Sequence, residues 1–198
     1  MIASLRGTLL RLDLDSILIE VSGVGYEVMI PFPLHLELRE SIGKEIFIHC
    51  FHSISDRGQK LFGFQTNKDR ELFKLIKSLH GIGELTALKI LSFFRADDLY
   101  QIAQADDRKT LERIPKVKGK TSEKILFEIK QNLKKLESFL QDDSGKEFGP
   151  IHIQDDLAIL ALIQLGYDEK TAKREVDLIR KESPDLEAGE IVKKVITK

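Results

Sequence analysis

Residues 75–91, LIKSLHGIGELTALKIL, return thirty-five positions later as TLERIPKVKGKTSEKIL at 110–126. In that register Ile76 matches Leu111, Leu79 matches Ile114, Ile82 matches Val117 and Thr86 matches Thr121. Lys89-Ile90-Leu91 matches Lys124-Ile125-Leu126. An in-phase repeat constrains the fold strongly, because both copies must be the same supersecondary unit. The apolar spacing is helical on both sides of a short break, which predicts helix, tight turn, helix, with an apolar residue at each turn apex plugging into the helix pair.

The first turn is Gly81-Ile82-Gly83. Glycines flanking one apolar residue permit positive φ and let the backbone come close to a ligand. The amides of the turn and of the next helix's first turn then point outward, where the helix dipole favours an anion. The chemistry fits a DNA phosphate contacted without regard to sequence. The unit is a helix-hairpin-helix motif, and the expected contact residues are Leu79, Gly81, Ile82 and Gly83 in the first copy. In the second they are Lys116, Lys118, Gly119, Lys120 and Thr121.

The same Gly119-Lys120-Thr121 invites comparison with a phosphate-binding P-loop. That loop opens on a glycine five positions before its Gly-Lys-Thr. Here the position is Ile114, followed by Pro115, and no hydrophobic β-run leads into it. A bound nucleotide is therefore not expected, nor any other cofactor.

The period changes twice along the chain. LRGTLLRLD, SILIEVSG, YEVMIPF, EIFIHCFHSI and KLFGF are short, β-branched or aromatic, and separated by turn residues. Five such strands within residues 1–64 suit a small barrel such as an OB-fold. Residues 65–138 are helical and hold the hairpins; Asn67 is a plausible N-cap for NKDRELFKLIKSL. SFLQDDSGKEFGPIHIQ breaks the pattern, so residues 139–154 read as a flexible linker. Residues 155–198 carry three short helical runs, the first ending on Gly166, and can bury only a small three-helix, UBA-like core. The fold class is thus α+β multidomain. Acidic helical tails on linkers usually dock partners.

Net charge is −1, but it divides into −2 over residues 1–65, +5 over 66–140 and −4 over 141–198. The basic middle is where an anionic partner belongs. A single cysteine, Cys50, allows no internal disulfide and suits a reducing compartment. MIASLRGTLLRLD has no apolar core of signal-peptide type, and no run approaches the roughly 20 apolar residues of a membrane span. The expected location is the cytoplasm.

Several residues invite other chemistry. His49, Cys50 and His52 are close in sequence, but neighbouring strand residues point to opposite faces and no second ligand pair has zinc spacing, so no metal is expected. Gly23-Val24-Gly25 lies between strands with no helix after it and reads as a turn. Tyr26, Phe47, Phe51, Phe62 and Phe64 could stack bases; filling a barrel is the commoner use. The rival from another class is a base-flipping glycosylase, which needs a catalytic aspartate in a pocket after the hairpin. Here SEKILFEIKQNLKKLESFL runs straight into the linker, without a His-Val-Asp-like segment. A generic hairpin DNA-binding module is the other alternative.

The opening MI-x-x-LRG, SGVGYEV at 22–28, LFGF at 61–64 and HGIGELTALKILS at 80–92 resemble the RuvA family of Holliday-junction-binding subunits. So do the second hairpin and the terminal Leu162, Leu165, Gly166 and Tyr167, making the resemblance essentially end to end. It implies a non-catalytic homotetramer, or two of them, holding an open four-way DNA junction in recombination, DNA repair and the SOS damage response. It also implies an acidic pin at the barrel loop, here Asp56, and a third domain that docks the hexameric AAA+ motor RuvB. The resemblance implies that Leu162, Leu165 and Ile196 form part of the docking patch, the first two lying three apart on one helix face; the alternative for each is a place in the small core. The junction resolvase RuvC is a further implied partner. Adenosine triphosphate hydrolysis would then reside in the motor.

Three departures from the family pattern stand out. Lys116-Val117-Lys118 replaces Gly-apolar-Gly, Glu84-Leu85 stands where a basic residue is common, and Arg57 follows Asp56 where a second acid is frequent.

Overall fold

The computed structural model describes residues 1–56, 58–140, 153–183 and 186–197. Its chain divides into two compact units, Met1–Gly145 and Lys146–Lys198. Most of the expected linker, along with Arg57, lies outside the described residues.

Five strands, β1 (Ser4–Leu12), β2 (Ser16–Val21), β3 (Val24–Met29), β4 (Glu45–Ser55) and β5 (Gly58–Phe64), close a barrel in the order β1-β2-β3-β5-β4. Alternation drives it. Leu5 and Leu9, Ile17 and Ile19, Ile48 and Cys50 all point inward and are buried. All pairings are antiparallel except the short closure of β3 on β5, where Met29 faces Phe62. At Gly7 an added Cβ would run into the Glu20 carbonyl, so the close approach of β1 to β2 requires glycine.

One element differs from the sequence expectation. The strand read as YEVMIPF stops at Met29, and α1 (Phe32–Leu38) follows, with Pro31 as N-cap and a proline in its first turn. Proline suits a helix's first turn, where its missing N–H costs nothing. Leu34 and Leu38 of α1 join the barrel core.

The helical part follows as α2 (Asn67–Ser78), α3 (Glu84–Phe93), α4 (Ala96–Gln104), α5 (Arg108–Leu111), α6 (Lys120–Gln131) and α7 (Leu133–Glu137). The N-cap of α2 is Thr66 rather than Asn67: its hydroxyl oxygen accepts from Asp69 N at 3.1 Å. The barrel and these helices are not separate bodies. Phe62 and Phe64 of β5 turn outward from the barrel core onto Phe73 of α2, with ring centroids 5.1 and 5.0 Å apart, and Phe51 packs on Phe73 at 5.4 Å. Of the aromatics expected inside the barrel, Phe51, Phe62 and Phe64 thus cement it to the hairpins, while Tyr26 packs against the barrel core as expected. Phe47 instead lies exposed on the barrel surface.

Among its described residues the second unit has three helices, α8 (Ile153–Gln164), α9 (Glu169–Glu182) and α10 (Ala188–Ile196). Gly166 leaves α8 with φ +96°, and Asp168 caps α9 by accepting from Thr171 N at 3.0 Å. Ala158, Leu162, Ala172, Val176, Ile179, Ile191 and Val195 make its core.

Candidate nucleic-acid interface

The repeat survives hydrogen bond by hydrogen bond. In the first turn Leu79 N donates to Ile76 O and Ile82 N to Leu79 O, both at 3.1 Å. Thirty-five positions on, Ile114 N donates to Leu111 O at 3.2 Å and Val117 N to Ile114 O at 3.0 Å. Gly81 has φ +79° and its counterpart Lys116 has φ +71°. Ile82 and Val117 are both buried at the apex. The two turns therefore share one backbone path up to the apex, although one is glycine-rich and the other lysine-rich; beyond it α3 is capped by Gly83, and α6 one repeat position later by Gly119.

Leu79 and Ile82, expected among the contact residues, are core plugs. Their side chains are buried and hold the turn in place rather than facing a ligand. Gly81, Gly83, Lys116, Lys118, Gly119, Lys120 and Thr121 are all exposed. Among the described residues, the amides of Gly81 and Gly83 have no hydrogen-bond acceptor. Gly83 caps α3 with φ −83°, and a Cβ there would meet open space. Only Gly81 needs glycine for its conformation.

The second turn offers less backbone. Gly119, φ +57°, caps α6, but its amide is taken by Glu112 Oε1 at 3.1 Å, which also accepts from Ser122 Oγ at 2.9 Å. Those hydrogen bonds, Ser122 first, hold the Glu112 carboxyl below its usual range, with Arg108 nearby adding to the effect. Charge at this turn rests on Lys116, Lys118 and Lys120.

The two hairpins also brace each other, which the repeat alone does not reveal. Glu128 of α6 accepts from His80 N at 3.2 Å in the first turn. Lys124 of α6 lies where a Cβ on Gly81 would strike its ammonium end. The first hairpin, poor in basic residues of its own, thereby acquires a cation from the second. The matching Lys89 and Lys124 of the repeat are the signal available in the sequence.

Glu84, first residue of α3, bonds to the barrel: Ser53 Oγ donates to its Oε1, and Lys77 Nζ lies 3.0 Å from the same oxygen. Burial opposes ionisation of Glu84, but the bonds from Ser53 and Lys77 outweigh it and keep the carboxyl below its usual range. Asp56 sits exposed in the turn joining β4 to β5, beside the Ser55–Gly58 pair. His52, one of the trio with metal-ligand chemistry, accepts from Ile2 N through Nδ1 at 3.3 Å and has Nε2 3.0 Å from Gln59 Oε1, while Cys50 is buried in the barrel.

In the second unit the three-residue patch does not hold together. Leu162 is 0% exposed and belongs to the core, whereas Leu165 and Ile196 are 58% and 51% exposed. Leu165 N still donates to Ala161 O at 3.1 Å in the last turn, yet its side chain is exposed, so a spacing of three does not make one surface patch of Leu162 and Leu165. Leu178 of α9 is a further exposed apolar residue, recognisable as lying off the Ala172, Val176, Ile179 stripe. No helix among the described residues is long and apolar enough to cross a membrane.

Residues 1–63 match the family model described as RuvA N terminal domain, and residues 73–131 match SAM-like helix-hairpin-helix tandem. The chain is 69% identical over 197 residues to the Holliday junction branch migration complex subunit RuvA of Leptospira biflexa serovar Patoc. That alignment covers all of this chain and 98% of the relative. Proteins of the same description from Stutzerimonas stutzeri and Aliivibrio fischeri are 33% and 36% identical. They align with 99% and 98% of this chain, and with 98% and 97% of their own lengths.

Proposed function

The chain belongs to the RuvA family, and from that premise we propose that it is a non-catalytic cytoplasmic subunit gripping four-way DNA junctions by the phosphates of their arms. The observation that carries the reading is the paired turn. Two hairpins whose turns match up to the apex present free amides at Gly81 and Gly83 in the first and exposed ammonium groups at Lys116, Lys118 and Lys120 in the second. Amides and ammonium groups suit phosphate oxygens, so recognition is of backbone and geometry. Assembly as a homotetramer would set four such pairs around a crossover, and multivalency would then favour a four-armed ligand over a linear one. Asp56 would stand near the crossover and repel phosphates there. The second unit would dock the RuvB motor through Leu165 and Ile196.

A competition gel shift tests this reading. Labelled four-way junction is challenged with unlabelled junction, duplex of matched length and single strand at fixed, stated salt. Junction should displace the label at far lower concentration than either rival. Equal competition by duplex would leave only a generic DNA-binding module.

A further inference from the structure

Glu84 stands at the mouth of the first phosphate cradle, at the first position of α3 and next to the free amide of Gly83. A carboxylate there suits the helix dipole but opposes an incoming phosphate. Its actual placement resolves the conflict. The side chain is only 22% exposed and turned toward the barrel, where Ser53 of β4 donates to it and Lys77 of α2 pairs with it. Lys77 Nζ also lies 4.4 Å from the ring centroid of Phe51, again on β4. Ser53 is itself buried, three residues before Asp56. In the second hairpin the matching positions are tied within the hairpin alone, Glu112 accepting from the Gly119 amide, because the repeat puts Gly119 at the position of Glu84.

We infer that Glu84 is a positioning residue that latches the first hairpin to the β4–β5 ribbon, Ser53 and Lys77 holding its carboxylate out of the phosphate cradle. The latch ties the turn that grips a DNA arm to the strand that leads into the Asp56 turn. The inference rests on the reading of the hairpins as the junction interface only for its effect on DNA; the tether itself is independent of DNA.

Two measurements separate these parts. In DNA-free full-length protein, Ser53→Ala should speed amide hydrogen exchange across Ala87–Ile90, the first hydrogen-bonded amides of α3, several-fold relative to wild type, while the barrel strands β1 and β2 keep their protection. Unchanged exchange across Ala87–Ile90 would overturn the latch whatever the DNA result. On the four-way junction, Ser53→Ala should bind about five- to tenfold more weakly, because the released carboxylate faces phosphate. Adding Glu84→Gln to Ser53→Ala should restore near wild-type affinity, and Glu84→Gln alone should bind at least as well as wild type. A double variant as weak as Ser53→Ala would show that Ser53 serves packing alone, and would overturn the inference. Wild-type protein that fails to prefer junctions, with exchange rising as expected, would instead overturn the function reading and leave the latch standing.

Discussion

Lys116 occupies in the second hairpin the place that Gly81 holds in the first, and both take the left-handed backbone, φ +71° and +79°. For a residue with a Cβ that conformation costs about 1 kcal/mol or more. The chain retains lysine there, so a charge stands where a strain-free glycine would fit. Lys116→Gly should therefore raise stability by roughly 0.5–1 kcal/mol, the relief of strain exceeding glycine's entropy cost. Thermal unfolding followed by circular dichroism checks it. A lowered midpoint would mean that the lysine side chain itself stabilises the turn.

The two glycines of the first turn should respond differently. Gly81→Ala forces a Cβ into a left-handed site and against Lys124, and should cost about 1 kcal/mol or more of stability along with junction affinity. Gly83→Ala meets open space at an ordinary φ and should leave the unfolding midpoint within about 0.5 kcal/mol of wild type. Its junction binding should still weaken, because the methyl group stands between the Gly83 amide and a phosphate. Undiminished affinity in Gly83→Ala would show that the DNA does not approach that backbone closely.

These turns are legible in the sequence because glycine, apolar spacing and an in-phase second copy are local signals. What is not legible depends on distance along the chain. Glu84 finds Ser53 thirty-one residues away, and His80 finds Glu128 forty-eight residues away. Nothing in the periodicity of either segment announces those partners. The barrel is legible by alternation, yet the same alternation puts Phe62 and Phe64 in its interior when they face Phe73; a strand pattern shows that a face is buried, not which neighbour buries it. Leu165 fails for a smaller reason: a spacing of three brings it near Leu162 around the helix, but does not say whether both, one or neither reaches the core.

His35 gives the barrel a pH dependence. It is buried in α1, stacked on Phe32, and donates through Nδ1 to the Asp13 carbonyl at 2.8 Å. Burial lowers its pKa from 6.5, the bond to Asp13 partly opposes this, and the Arg39 charge adds to the lowering. A depressed folded pKa means that the stabilisation is complete above the unfolded value of 6.5 and is lost as pH falls through the folded one. The unfolding midpoint should therefore drop between about pH 7 and pH 5 more steeply in wild type than in His35→Gln. Parallel pH profiles for the two proteins would remove His35 as the cause.

In the second unit, Leu162→Asp and Leu165→Asp should part company. An aspartate at fully buried Leu162 costs several kcal/mol, enough to unfold so small a core. At Leu165 it meets water and should leave the helices folded. On the proposed docking role, Leu165→Asp and deletion of residues 145–198 should both spare junction binding and abolish stimulation of RuvB-driven branch migration. Motor-driven migration by the truncated protein would end that role.

Phosphate contact by the two hairpins, the second relying on side-chain charge, is the central claim. Its most direct test is the slope of log affinity against log salt for the four-way junction, in wild type and in the Lys116→Ala, Lys118→Ala, Lys120→Ala variant. Wild type should show a steep linear slope. The variant should show a slope flatter by about 0.9 for each phosphate it no longer neutralises, with weaker binding at low salt. Identical slopes and affinities in the two proteins would place those lysines off the DNA and contradict the claim.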